Sequence, residues 1–163
     1  MYFPFSRIIR KQGANLCGKH RVNLNGTGLY EGRCKSYGRA SLFTTASVIN
    51  LSNALRRAEK YAECISFLRE EIPFVEGELG PDSDDVLRLR FNYANCLLEK
   101  GSSRHGVNEA VTILEDIVPR VRRVLGANHP FYSSVLDRQK SATQRLQKRG
   151  RATESSSAPA SSS

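Results

Sequence analysis

Residue types capable of chemistry are few in this 163-residue chain, and they are scattered. Cys17-x-x-His20 with Cys34 offers three ligands of the kind that hold zinc, but a fourth at the usual spacing is missing. Gly26-Thr27-Gly28 lacks the rest of a dinucleotide-binding loop and the strand that should precede it. Asn25-Gly26-Thr27 has the form of a glycosylation acceptor, which has meaning only in a secreted chain. Two carboxylate pairs occur, Glu70/Glu71 and Asp84/Asp85. Adjacent residues on a helix point apart, so these pairs read as solvated-face and helix-start residues rather than a general acid and base. His129, in Gly126-x-x-His129-Pro130, is placed to start a helix. His105 has no partner pattern. The wide, irregular spacing of Cys17, Cys34, Cys64 and Cys96, without a CxxC, argues against a disulfide framework. No catalytic residue, no cofactor-binding residue and no metal ligand is assigned, so no cofactor and no enzymatic activity are expected.

Charge gives a second exclusion. The net charge is +9, but it is divided unevenly. Residues 1–45 carry eight basic and one acidic residue, and residues 138–163 carry six and one. Residues 46–137 carry eleven basic and fourteen acidic residues, a net of −3. A nucleic-acid-binding domain concentrates basic residues on its folded surface. Here they sit on the flanks, so nucleic acid is not the expected partner. A nucleic-acid or anionic-surface binder acting through the basic N- and C-terminal segments is the alternative reading. The segment 1–40 lacks the continuous apolar core of a secretory signal. It is acid-poor and contains arginine, as transit peptides are. The expected location is cytoplasmic, with mitochondrial or plastid targeting as the alternative. No run of about 18 apolar residues occurs, so no membrane span is expected.

The elements that must position any site begin near Ser41. Leu42, Val48, Leu51 and Leu55 recur at helical spacing over Ser41–Arg57. Lys60–Leu79 carries an apolar stripe through Tyr61, Cys64, Phe67, Leu68, Ile72, Val75 and Leu79. It stops at Gly80-Pro81, a pairing that ends helices. Asp82 is placed to cap a third helix that runs to about Lys100. Gly101–Gly106 reads as a loop, Val107–Leu125 as a fourth helix, and Asn128 to about Gln147 as a fifth. Three segments follow: 1–40 basic, disordered or targeting; 41–147 helical repeat domain; 148–163 a Ser/Ala-rich disordered tail.

Repetition within the helical part decides the expected architecture. Asn50-Leu51-Ser52-x-x-Leu55 matches Asn92-Tyr93-Ala94-x-x-Leu97 at an offset of 42. Glu63-Cys64-x-x-x-Leu68 matches Glu109-Ala110-x-x-x-Leu114 at 46, as do Pro73/Pro119, Val75/Val121 and Leu79-Gly80/Leu125-Gly126. Small residues at Ser52/Ala94 and Cys64/Ala110 suit close approach of the two helices of a hairpin. Large ones at Leu55/Leu97 and Leu68/Leu114 fill the space between hairpins. A single hairpin cannot bury its own apolar face, so the units must stack.

These motifs, with Leu125-Gly126-x-x-His129-Pro130, resemble the kinesin light chain type of tetratricopeptide repeat over about residues 46–147. The heptad-rich segment by which kinesin light chains pair with a heavy chain is absent from the sequence given. Cys64 departs from the usual Ala and Glu71 from a small residue. The resemblance implies an all-α, right-handed superhelical stack of antiparallel helix hairpins, about five helices, or two and a half units. It also implies a scaffold or adaptor role: a protein or peptide partner bound in the concave groove lined by the first helix of each unit. That places Asn50, Asn53, Arg57, Arg88, Asn92, Asn95 and Arg138 toward the groove. An Asn amide offers both donor and acceptor to an extended peptide backbone. Arg88 and Arg138 suit an acidic residue or a terminal carboxylate. Peptide grooves of this type are normally built from three units or more, and self-association is one way to complete this one.

Overall fold

The computed structural model describes residues 42–99 and 103–155, together with Ser36. The candidate zinc ligands Cys17, His20 and Cys34, the Gly26–Gly28 loop, the segment 1–35 and the tail 156–163 lie outside the described residues. Among the described residues the chain is all-α. Its helices are α1 (Leu42–Arg57), α2 (Tyr61–Leu79), α3 (Asp84–Glu99), α4 (Arg104–Leu125) and α5 (Pro130–Ser155).

Each helix packs against the next, and α1 also packs against α3. The apolar stripes meet in one core. It contains Val48 and Leu51 of α1, Leu68 and Val75 of α2, Val86 and Leu89 of α3, Leu114 and Ile117 of α4, and Val135 of α5. Burying a side chain of this size contributes about 1.5–3 kcal/mol, which is why the 3.6-residue spacing dominates the sequence. The small residues of the repeated motifs are buried. Ser52, Ala94, Cys64 and Ala110 have no exposed surface. The Cys64 thiol reaches the Ser52 carbonyl at 3.5 Å, between α1 and α2.

The two glycine turns have the same geometry. Gly80 has φ 80° and ψ 158°, and Gly126 has φ 88° and ψ 159°. Each N–H donates to the carbonyl four residues back, Glu76 at 2.9 Å and Arg122 at 3.0 Å. Each carbonyl accepts from the residue three ahead, Ser83 and His129, both at 3.3 Å. That backbone region is open essentially to glycine alone.

Four local expectations need correction. Asp82 does not cap α3, which begins two residues later; its carboxylate instead pairs with Arg120 and Arg123 of α4. Glu71 is not on the solvated face: it is 2% exposed. Its register explains this, because Glu71 falls three or four residues from Phe67, Leu68 and Val75 on the buried stripe. The helix α4 starts at Arg104, inside the expected loop, because Ser103 caps it by accepting from the Gly106 N–H at 3.1 Å. Gly106 is therefore a first-turn residue rather than a helix breaker. Finally, α5 continues beyond Gln147 to Ser155. No proline interrupts that stretch before Pro159, and Arg149, Arg151 and Ala152 favour helix.

Candidate functional site

The seven candidate residues fall on three helices: Asn50, Asn53 and Arg57 on α1, Arg88, Asn92 and Asn95 on α3, and Arg138 on α5. Side-chain contacts join these helices into a row. Asn92 Nδ2 donates to Ser52 Oγ at 3.0 Å and to Asn53 Oδ1 at 3.2 Å, linking α3 to α1. Phe91 and Phe131 meet edge to face at 5.3 Å, linking α3 to α5.

The seven differ in exposure. Asn50 and Arg57 are exposed, while Asn92 and Asn95 are buried at 9% and 7%. The Asn92 donor is thus used between helices. Asn53 is half-buried and accepts from it. Arg88 Nε donates to Asp84 at 3.0 Å, and its guanidinium lies 4.8 Å from the centre of the Phe131 ring. That cation–π contact holds the arginine against α5. Arg138 donates to the Glu99 carboxylate.

Glu99 organises a basic cluster that the sequence reading did not single out. The hydrogen bond from Arg138 holds its carboxyl below the usual range, against the opposing effect of burial, with the charges of Arg138, Arg145 and Arg56 adding to it. One carboxylate therefore stands among three guanidiniums. The Nε atoms of Arg56 and Arg138 are buried and have no hydrogen-bond partner among the described residues. Arg145 also donates to the Leu98 carbonyl at 3.3 Å. The only sequence signal was that Arg138 and Arg145 stand seven apart, two turns along one helix face.

Charges around α2 and α4 are arranged differently. Arg90 bridges Glu76 and Asp116, each at 2.7 Å. Arg120 joins Asp116 to Asp82, both at 3.1 Å, and Arg123 also pairs with Asp82. Three carboxylates thus meet three guanidiniums. Nearby, Tyr93 Oη donates to Glu109 at 2.6 Å and accepts from Arg69 at 2.9 Å. Burial, then the Glu109 hydrogen bond, pushes the Tyr93 phenol up. These pairs tie α2, α3 and α4 together and neutralise one another.

His129 Nδ1 accepts from the Phe131 N–H at 3.1 Å, an N-terminal cap for α5. Among the described residues no group of three or more His, Cys, Asp or Glu is arranged to hold a metal ion. No described helix is long and apolar enough to cross a membrane. No family model matches the chain, and no curated protein matches it.

Proposed function

We propose that this chain is a short tetratricopeptide-type repeat protein of the kinesin light chain-like kind. Its role is to bind an extended polypeptide across α1, α3 and α5, without catalysis. The observation behind this reading is the charge imbalance on that row. Three arginines stand around Glu99, whereas Arg90, Arg120 and Arg123 meet three carboxylates, Glu76, Asp116 and Asp82. A carboxylate from a partner would complete the set, and a charge-assisted bond to a guanidinium is about twice as strong as a neutral one. Exposed Asn50 and Arg57 and half-buried Arg88 extend the same row. The matched glycine turns favour stacked, equivalent hairpins. Asn92 and Asn95 support the row from beneath rather than contacting the partner.

The test is selection of peptides from a random display library against the full chain, followed by measured affinities. Arg57→Glu and Arg88→Glu should each weaken the selected peptides about tenfold, equal to about 1.4 kcal/mol, with the circular dichroism spectrum unchanged. Affinities unmoved by both substitutions would sink the reading. Binding that disappears on deleting residues 1–40 and 148–163, with a steep salt dependence, would favour the basic ends as the binding elements instead.

A further inference from the structure

We propose that Cys64 and Cys96 form a reversible disulfide, a redox modification site that locks α2 to α3. The two residues sit on different helices, and both are free thiols. Their sulfurs lie 3.0 Å apart, and neither side chain has exposed surface. A disulfide needs about 2.05 Å between the sulfurs, so the bond requires a movement of only about 1 Å.

Packing alone does not account for the pair. The position 46 residues after Cys64 is Ala110, and the position 42 residues before Cys96 is Ala54. Those offsets relate the two hairpins, and alanine meets the demand for a small side chain at both equivalent places. In this one layer, two thiols replace two methyl groups and point at each other.

The surroundings make one thiol the nucleophile. The hydrogen bond shared with Cys64 holds the Cys96 thiol down despite burial, and nearby Arg56 adds to this. The same contact, then burial, pushes the Cys64 thiol up. Hydrogen peroxide, little larger than water, serves as the oxidant, reaching the pair through local opening between α2 and α3. The Cys96 thiolate attacks one peroxide oxygen, and the O–O bond breaks. Hydroxide leaves and takes the thiol proton as water, leaving a sulfenic acid on Cys96. Cys64 then attacks that sulfur. The S–O bond breaks, and the second hydroxide takes the Cys64 proton as a second water. The two thiols lose two electrons and peroxide gains them. A small dithiol reverses the change. The closed ring spans residues 64–96 and includes the Gly80 turn, so it restricts the unfolded chain.

The experiment uses the full chain carrying Cys17→Ser and Cys34→Ser, treated with hydrogen peroxide and digested with trypsin. Cleavage after Lys60, Arg69, Arg90 and Lys100 separates the two cysteines onto peptides 61–69 and 91–100. The expected product is these two peptides cross-linked within one chain and released by dithiothreitol. The oxidised protein should melt about 10 °C higher. Cys64→Ala, which places the residue of the second hairpin at this position, should fold and show neither the cross-link nor the shift. Two thiols still alkylatable after peroxide treatment and denaturation would overturn the proposal. So would cross-linking only between chains, or a cross-link that leaves the melting temperature unchanged.

Discussion

Glu99, in the last turn of α3, accepts a hydrogen bond from Arg138 of α5 and lies within the field of Arg145 and Arg56. Its folded-state pKa is lowered from the ordinary value of 4.5. The ionised form is therefore favoured more in the folded than in the unfolded chain. That contribution is complete above about pH 4.5 and is lost as pH falls through the lowered folded value. Arg138→Ala should return Glu99 toward its ordinary range and remove this part of the acid-side loss of stability. Carboxyl NMR titration of Glu99, beside acid unfolding followed by circular dichroism, checks both statements. A Glu99 that titrates identically in the variant would show that Arg138 is not the cause. The same scale separates two kinds of asparagine. Asn50 is exposed and free to meet a partner, whereas Asn92 is buried with its amide bonded to Ser52 and Asn53. In the sequence they occupy matching positions, and no property of the residue itself distinguishes them.

Helix boundaries follow from a few local rules. Pro130 opens α5, where a missing N–H costs nothing, and His129 caps it. Gly80 and Gly126 end α2 and α4 with backbone angles that a side chain would strain. Gly80→Ala and Gly126→Ala should each destabilise the chain by about 1–3 kcal/mol, and by similar amounts because their conformations match. Gly77 offers the contrast. It lies inside α2, and a Cβ added there meets nothing within 4 Å. Gly77→Ala should therefore stabilise by about 0.5–1 kcal/mol. Urea unfolding midpoints of the three variants test the set, and equal effects at all three positions would refute the backbone argument. The sequence placed α2 and α3 closely, because apolar period and glycine agree there. It missed the start of α4, because a glycine in a first turn looks like a glycine in a loop. It also missed the end of α5, where charged helix formers continue without an apolar stripe to announce them.

Across the whole molecule, α5 closes one side of the core. It contributes Val135 and Ala142, both fully buried, and Phe131 against Phe91. The apolar surface that α5 buries adds to the stability of the shared core. Deleting residues 130–163 should leave α1 to α4 helical while lowering stability by on the order of 3–5 kcal/mol. Thermal melts monitored by circular dichroism read both features. A truncated chain without helix would instead show that α1 to α4 do not stand without α5.

The sequence alone determined the helical class, the approximate helix spans, the glycine turns and the small-residue positions. Each depends on neighbours a few residues apart, where a 3.6-residue period or a backbone preference acts. Tertiary structure alone decided that Asn92 and Asn95 lie buried and that Cys64 faces Cys96. It also decided that Arg90 joins two carboxylates while Glu99 stands among three arginines. Partners in the long-range side-chain hydrogen bonds of Arg69, Arg90, Asn92, Cys96, Arg120, Arg138 and Arg145 are 14 to 47 residues apart in the chain. At that range composition and periodicity carry no information about which charges meet. The rotation of each helix about its axis, set by packing, makes that choice.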